Sequence, residues 1–513
     1  MKRALGIGLL FLAVVVTADR LFPPPAFPQY STQVFDARGE LLNAFLTPDD
    51  KWRLRTRLDH VNPDVMRALL YKEDRWFFLH PGVNPYAVLR ALWSNVRSGR
   101  RVSGASTITM QLARMLEPAE RRYAIKFREM LRALQLELRY SKHELLERYI
   151  SLLPMGGNIE GVASASWLYF NRPAEKLSTA QSAALAVIPS DPNRLRPDRG
   201  TEALQRRTQA LLRRLRDSGL FSDADIAAAL GEDFDVARTA PPRRAPHFSL
   251  IATARTDRDL LHTTLDPVVQ DAAERLLRNH VQRVSAEGVR NGAVLIIDND
   301  SMSVAAWCGS ADFDDVATQG QVDGVRAVRS PGSTLKPFLY ASAFDEGALT
   351  PAMRLLDIPV DYGGYMPENF DASCRGEVSV REALLTSLNI PAVRELARQG
   401  VGPFINRLAG AGFRTIATSR EHLGLSLILG GCGVTLEELT RAYSMFARQG
   451  RLQRLRFFPG ETDGEGSAMM TSATAWLVTD ILSGHDRPDL PAELRATSRL
   501  PRFAWKTGTS YGK

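Results

Sequence analysis

The chain has 513 residues, of which 44% are hydrophobic and 24% charged, and its 65 basic and 57 acidic side chains give a formal net charge of +8. This is a globular composition, so disordered, collagen-like and disulfide-framework classes are excluded, and the length suggests two to four domains. Three widely spaced cysteines form no zinc-binding pattern. Lysine is scarce: between Leu177 and Gly512 only Lys336 and Lys506 occur, and every other basic side chain there is an arginine or a histidine.

The N-terminus predicts export. Lys2 and Arg3 precede an uncharged apolar run from Ala4 to Ala18. That run is short for a membrane-spanning helix, which needs about 20 residues, and it also resembles the apolar core of a signal peptide. We expect residues 1–20 to be a single anchor with the rest of the chain outside the cytoplasm; a cleaved signal and a buried helix are the alternatives. For an exported chain we expect no nucleic-acid partner.

The remaining chain divides by its hydrophobic patterns. Residues 33–42 predict two short strands around a turn at Gly39. From Pro63 to about Leu230 apolar residues recur at helix spacing, and a cluster of proline and arginine follows at 240–246. Strand-like runs then occur at 293–298 and 303–307, and a strand is predicted at 503–505. We predict an all-α domain over 30–230, a linker over 231–259 and a mixed α/β domain over 260–513.

Four segments of the predicted helical domain carry candidate chemistry. They are EDRWFFLHPG from Glu73, GASTITMQ from Gly104, IKFRE ending at Glu129, and KHELLERYIS from Lys142. A glutamate beside aromatic residues suits acid/base work on a sugar hydroxyl, and hydroxylated residues after glycine can begin a helix that faces an anion. Each segment alone also has an ordinary interpretation as a helix end, a helix cap or a surface ion pair.

The order and spacing of these segments resemble the family 51 glycosyltransferases, the peptidoglycan polymerases, whose motifs are EDxxFxxHxG, GxSTxTQQ, RKxxE and KxxILExYLN. The resemblance implies a lysozyme-like fold that polymerises lipid II, with Glu73 as the base. Glu129 and Lys126 would stabilise the departing undecaprenyl pyrophosphate, aided by Mg²⁺ or Mn²⁺, for which no ligand is assigned. The implied substrate-binding residues are Asp74, Ser106, Thr107, Gln111, Arg114 and Lys126. Met110, Ile125 and Ser151 depart from the motifs.

A second set of motifs lies in the predicted α/β domain: Ser333-Thr-Leu-Lys336, Ser387-Leu-Asn389 and Lys506-Thr-Gly-Thr509. On a helix, Ser333 and Lys336 share one face, so a lysine neutralised by burial can take the serine proton. Each motif alone is weak, because a polar helix residue or a surface charge explains it. The scarcity of lysine makes the two retained lysines more informative.

Together these three motifs resemble the active-site serine penicillin-recognising enzymes, and their flanking residues resemble the transpeptidase domain of class A penicillin-binding proteins. The resemblance implies that a D-Ala-D-Ala stem peptide acylates Ser333, with Lys336 as base, Ser387 relaying protons and Asn389 orienting substrate. Lys506, Thr507, Gly508 and Thr509 would bind the terminal carboxylate, and no cofactor is implied. Because that family continues beyond KTG, we expect the transpeptidase domain to be incomplete at its C-terminus.

We therefore predict a bifunctional peptidoglycan synthase at the bacterial inner membrane, with its catalytic domains in the periplasm. The expected partners are lipid II, nascent peptidoglycan, the cytoplasmic membrane and β-lactams. One alternative is a glycan hydrolase joined to a D,D-carboxypeptidase. Another is a glycosyltransferase with a non-catalytic penicillin-binding or scaffold module. A third is a non-catalytic envelope scaffold or β-lactam sensor that retains the folds.

Overall fold

The computed structural model describes residues 19–98, 106–119, 123–233, 236, 238–462, 464, 466–485, 487 and 503–510. The chain divides into two compact units. The first contains residues up to Val34, Leu41–Arg244 and Asp257–Leu261, and the second contains Phe35–Glu40, Ala245–Thr256 and residues from His262 onward. Except for Asp19 and Arg20, the predicted anchor lies outside the described residues. Within the described part, no helix is both long and apolar enough to cross a membrane.

The first unit is built mainly from helices, which confirms the prediction made for residues 63 to about 230. Buried apolar side chains from successive helices, such as Leu69, Leu146, Ala184 and Leu212, form one core. The α-helices are Pro63–Glu73, Pro85–Ser98, Ile108–Leu116, Tyr123–Arg139, Lys142–Leu152, Val162–Phe170, Thr179–Val187, Thr201–Asp217 and Asp223–Leu230. Short 3₁₀ helices are Leu58–His60, Phe77–Leu79, Ala174–Lys176 and Ile188–Ser190.

Local capping residues determine where several of these helices begin. The Asn62 side chain accepts a hydrogen bond from the Asp64 amide, and Pro63 occupies the first helical position. Ser141 and Glu144 form a reciprocal capping box at the start of helix Lys142–Leu152. These caps fix the ends of the helices that carry the candidate site.

Short strands accompany the helices. Strands β1 (Gln33–Phe35) and β2 (Leu41–Ala44) flank a turn at Gly39, where φ is +82°, as the sequence predicts. With β6 (Leu260–His262) they form a sheet of order β2-β1-β6. Strands β3 (Trp52–Arg53), β4 (Pro154–Gly156) and β5 (Ile159–Glu160) form a second sheet of order β3-β5-β4, in which β3 and β5 are parallel.

The second unit mixes helices with antiparallel strand pairs, which confirms the predicted α/β class. Strands β7 (Val294–Ile297) and β8 (Val304–Cys308) pair with Leu295 opposite Trp307. The other pairs are Arg354–Asp357 with Gly376–Ser379, and Arg451–Leu452 with Ser467–Ala468. The helices are Pro246–Thr253, Pro267–Val284, Lys336–Asp345, Val380–Leu385, Asn389–Gln399, Val401–Gly410, Arg414–Thr418, Leu436–Ala447 and Ser472–Leu482, and the 3₁₀ helices are Ser285–Glu287, Gly332–Leu335, Arg420–His422 and Leu425–Leu429.

Helix Lys336–Asp345 lies at the centre of the second unit. Every residue from Lys336 to Phe344 is buried, because neighbouring helices pack around the whole circumference. A lysine at the start of such a helix is removed from water by the fold itself. The fold therefore places the lysine of the SxxK motif in a buried environment that disfavours its charged form.

Two segments differ from the sequence interpretation. The predicted linker contains helix Pro246–Thr253, which can begin at Pro246 because proline is compatible with the first helical position. Its Phe248 and Ala252 side chains are fully buried. Residues 503–510 belong to no helix or strand among the described residues. The strand predicted at 503–505 is therefore not found in the part of the chain that the structure describes. The Trp505 amide instead donates a hydrogen bond to the Leu482 carbonyl, at the end of a helix, at 3.4 Å.

Candidate active sites

Glu73 is the last residue of helix Pro63–Glu73, and both of its carboxylate oxygens are held. Oε1 pairs with the Lys72 ammonium, and Oε2 accepts a hydrogen bond of 2.9 Å from Nε2 of Gln111. Gln111 lies on helix Ile108–Leu116, so the first two motifs meet at this carboxylate. The side chain is partly exposed, and a carboxylate with two partners can still accept further hydrogen bonds.

Asp74 follows Glu73 but points into the protein. Its carboxylate contacts Nε2 of His80 at 3.0 and 3.1 Å and accepts the backbone N–H of Ile108 at 3.1 Å. Asp74 therefore ties the His80 loop to the start of helix Ile108–Leu116. Its contact with substrate stays a prediction, because the buried carboxylate already serves these internal partners.

The second and third motifs also meet. Lys126 donates to Glu129 Oε2 at 2.8 Å and to Ser106 Oγ at 2.5 Å. Thr107 caps helix Ile108–Leu116 by accepting from the Met110 amide at 3.2 Å. The Lys126 ammonium thus lies between a carboxylate and the hydroxylated end of that helix, where it can face an anionic group. Arg114 lies in the last turn of the same helix.

Three residues to which the sequence analysis assigned no role complete this site. The Tyr149 hydroxyl donates to Gln111 Oε1 at 3.3 Å. Lys142 donates to the His80 carbonyl at 2.7 Å and to Glu137 Oε1 at 2.8 Å. Lys142 and Tyr149 lie within the fourth motif, which was the available signal, whereas Glu137 lies outside all four motifs.

Two departures from the family motifs are buried. Met110 packs in the interior, and the Ser151 hydroxyl accepts from the Thr56 amide at 2.9 Å and donates to the Glu147 carbonyl at 2.7 Å. The Met110 side chain is therefore accommodated by apolar packing, and the Ser151 hydroxyl has hydrogen-bond partners within the protein.

In the second unit, the SxxK motif begins as a turn rather than a full helix. Ser333 lies in the 3₁₀ helix Gly332–Leu335, and Lys336 starts the buried helix. Nζ of Lys336 donates to the Ser387 carbonyl at 2.7 Å and to Asn389 Oδ1 at 2.7 Å. The Ser333 hydroxyl makes no hydrogen bond within the described residues. Burial, with a contribution from the Lys506 charge, holds the pKa of Lys336 well below its ordinary value.

A neutral Lys336 amine fits these contacts. It has two N–H bonds for the two carbonyl-type oxygens, and one lone pair remains to accept a proton. Ser387 Oγ lies 3.5 Å away and also receives a hydrogen bond of 2.8 Å from Nζ of Lys506. The SxxK, SxN and KTG motifs therefore converge around one hydroxyl.

Ser387 has φ of +61°, a left-handed conformation that is costly for a residue with a side chain. Asn389 begins helix Asn389–Gln399, and its backbone N–H donates to Asn369 Oδ1 at 2.8 Å. Asn369 in turn donates to the buried Asp357 at 2.8 Å. The sequence analysis missed Asn369 and Asp357, for which no motif or spacing gave a signal.

Gly508 allows the KTG segment to approach the Ser333 turn. A Cβ at Gly508 would lie 2.4 Å from the Pro331 carbonyl oxygen and 2.6 Å from Cγ2 of Thr334. The close approach brings the backbone of Thr509 beside this turn, the arrangement that paired N–H donors for an oxyanion require.

Gly508→Ala should therefore slow covalent labelling by fluorescent penicillin by about tenfold or more, because the added methyl group must push the two segments apart. The labelling rate is measured as a time course on gels. Gly464→Ala is the matched control, since a Cβ at Gly464 meets nothing within 4 Å. Equal rates for Gly508→Ala and the wild type would contradict the assignment of this contact.

Comparison with known families agrees with this geometry. Residues 38–216 match the Transglycosylase family, and residues 292–513 match the Penicillin binding protein transpeptidase domain. The chain belongs to the class A penicillin-binding proteins. Penicillin-binding protein 1C of Escherichia coli is 40% identical over 505 residues, which cover 98% of this chain and 65% of that protein. Met110 and the segment Asn84-Pro-Tyr predict similarity to the 1C branch, and this relative confirms it.

Two further relatives extend the comparison. Penicillin-binding protein 1F of Bacillus subtilis is 28% identical over 481 residues, covering 88% of this chain and 66% of that protein. A crystal structure of penicillin-binding protein 1A from Haemophilus influenzae shares the fold, with a TM-score of 0.50 and 17% identity, covering 90% of this chain and 80% of that one. The chain spans about two thirds of the length of these curated relatives.

Proposed function

We propose that this protein polymerises lipid II into glycan strands and cross-links their stem peptides through an acyl-enzyme on Ser333. The observation that carries the proposal is that the motifs of each set converge. Glu73 and Gln111 meet in the first unit, as do Lys126 and Glu129, and Lys336, Ser387 and Lys506 meet in the second.

In the glycosyl transfer, Glu73 takes the proton from the 4-hydroxyl of the acceptor's N-acetylglucosamine. That oxygen forms a bond to the anomeric carbon of the growing chain as the bond to undecaprenyl pyrophosphate breaks, with inversion. The leaving group departs as an anion, so it needs positive charge more than a strong acid. Lys126, held by Glu129 and Ser106, supplies that charge in this proposal, and Arg114 adds to it.

The implied Mg²⁺ or Mn²⁺ stays a prediction. Glu129 is the assigned carboxylate at the pyrophosphate side, and it already pairs with the Lys126 ammonium. No group of three His, Cys, Asp or Glu side chains is arranged to hold a metal ion in the part of the chain that the structure describes. These residues do not form a dedicated cation cage, so no step is routed through a metal.

In the transpeptidation, Ser333 Oγ attacks the carbonyl of the D-Ala-D-Ala bond while Lys336 Nζ accepts its proton. N–H groups of Ser333 and Thr509 stabilise the oxyanion, and the terminal D-Ala leaves with a proton delivered through Ser387. An amine of a second stem peptide then attacks the acyl-enzyme and releases Ser333. Lys506, Thr507 and Thr509 bind the terminal carboxylate of the donor peptide.

The lipid-linked substrate agrees with exposed apolar groups of the first unit. Helix Pro85–Ser98 exposes Tyr86, Leu89 and Trp93 along one side, with Trp93 72% exposed. A cavity of 520 Å³ is lined by Trp76, Leu79, His80, Asn84, Pro85 and Tyr86. We include in the proposal an N-terminal anchor over residues 1–20 in the inner membrane, with both catalytic units in the periplasm.

Labelled lipid II and fluorescent penicillin test the two activities separately. We expect the wild-type chain to give glycan polymer and to label covalently, and Ser333→Ala to give the same polymer without label. Ser342 lies in helix Lys336–Asp345, which follows Ser333, and its hydroxyl donates to Gln399. The control variant Ser342→Ala removes that hydroxyl and should still label. Shortening of preformed glycan would instead favour the hydrolase, and a chain that neither polymerises nor labels would favour a scaffold.

A further inference from the structure

The Glu73 carboxylate is positioned by one side chain that contacts it directly and by a second side chain that contacts the first. Gln111 donates to it directly, and Tyr149 donates to Gln111 from the opposite side. These two contacts join helix Ile108–Leu116 and helix Lys142–Leu152 to the end of helix Pro63–Glu73. Gln111, which the motif resemblance implies to be a substrate-binding residue, therefore also contacts the proposed base.

The orientation of the Gln111 amide decides whether this chain of contacts can form. Glu73 is a carboxylate that can only accept, so the amide must present its NH₂ group to it. In the opposite orientation Oε1 of Gln111 would face the carboxylate, and two acceptors would repel one another. The amide oxygen must then point toward Tyr149, and it needs a donor there.

Tyr149 supplies that donor. Its side chain is completely buried, and burial, reinforced by the negative charge of Glu73, raises the pKa of the Tyr149 phenol well above its ordinary value. The phenol therefore keeps its proton throughout the pH range in which proteins are stable. A permanently protonated hydroxyl can donate to Gln111 Oε1, and this fixes the amide group.

We infer that Tyr149 and Gln111 form a positioning relay that orients the Glu73 carboxylate for proton abstraction. This inference rests on the proposed glycosyl transfer. Neither residue exchanges a proton with substrate: Tyr149 sets the rotamer of Gln111, and Gln111 sets the plane of the carboxylate. Lys72, on the other carboxylate oxygen, leaves the remaining lone pairs for the sugar hydroxyl.

The test is the polymerisation rate of Tyr149→Phe over a range of lipid II concentrations, using the full chain. Loss of the hydroxyl lets the Gln111 amide turn, so kcat should fall by about tenfold to a hundredfold while KM changes little. Gln111→Met, which removes both ends of the relay, should lower kcat at least as far, with the same small effect on KM.

Tyr169→Phe is the matched control. Tyr169 is also buried in the first unit, and its hydroxyl donates to the Met155 carbonyl at 2.9 Å. Both Tyr→Phe variants should shift the thermal unfolding midpoint by similar amounts, but only Tyr149→Phe should lose kcat. A wild-type kcat in Tyr149→Phe, an effect confined to KM, or an equal loss of kcat in Tyr169→Phe would overturn the relay alone. Absence of polymer from the wild type would overturn the proposed function and the relay with it.

Discussion

Replacing Glu73 by glutamine is expected to reduce glycan polymerisation by about a hundredfold or more, the usual contribution of a positioned general base. Glutamine has nearly the same size and can keep one hydrogen bond to its neighbours, but its amide cannot take the proton of a sugar hydroxyl. The loss should therefore lie in kcat, with KM for lipid II little changed. Initial rates with labelled lipid II measure both constants.

The same substitution elsewhere in the unit provides the control. Glu144 accepts the Ser141 amide at 2.8 Å in the capping box of helix Lys142–Leu152, and glutamine can serve the same cap. Glu144→Gln should polymerise at the wild-type rate. If Glu73→Gln retained more than about a tenth of the wild-type kcat, another group would have to act as the base.

Penicillin labelling checks that the substitution leaves the second unit folded and active. Glu73 lies in the first unit and Ser333 in the second, and each unit has its own core. A Glu73→Gln chain that has lost polymerisation should still label at Ser333 with the wild-type rate.

The sequence identified the charged centre of the first site because its motifs are short and contiguous. Lys126 and Glu129 are three residues apart on one helix, so their ion pair follows from helix geometry. The contact between Gln111 and Tyr149 could not be predicted in this way, since 38 residues separate the partners and only packing of their helices brings them together. The inward orientation of Asp74 has the same origin, because the Ile108 amide that it accepts is 34 residues away.

In the second site, scarcity of lysine singled out Lys336 and Lys506, and both contact Ser387. The supports of the SxN motif gave no comparable signal. Asn369 reaches the start of helix Asn389–Gln399 from a connection between two paired strands, and Asp357 lies at the end of the first of them. Likewise, the left-handed backbone of Ser387 depends on how two helices join, not on its own residue type.

Lys336→Met is expected to abolish penicillin labelling and to change how stability depends on pH. Methionine matches the length of most of the side chain but offers no lone pair for the Ser333 proton. The pKa of Lys336 is well below its ordinary value in the folded state, whereas an unfolded chain restores a value of about 10.4. Between these two pKa values, the unfolded state holds one proton more at this position than the folded state.

The sign of the pH effect follows from that difference. Stability rises with pH wherever the unfolded state binds more protons, here by about 1.4 kcal/mol per pH unit for one proton. Wild type should therefore gain stability relative to Lys336→Met as pH rises from the folded pKa of Lys336 toward about 10. Below the folded pKa of Lys336 both states are protonated, so this dependence ends there. Labelling by wild type should slow as pH falls through the folded pKa of Lys336, because the base becomes protonated.

Urea unfolding of the two chains at several pH values between about 7 and 9 measures this divergence, a range that lies below the unfolded pKa. Ser333→Ala serves as the control, because it also cannot label but keeps Lys336 and should therefore follow the wild-type curve. Parallel curves for wild type and Lys336→Met would mean that Lys336 carries its proton in the fold. A charged Lys336 has no lone pair, so Ser333 would then need a different base. Ser387 contacts both lysines, so penicillin labelling and pH-dependent unfolding should next be measured on a chain substituted at Ser387.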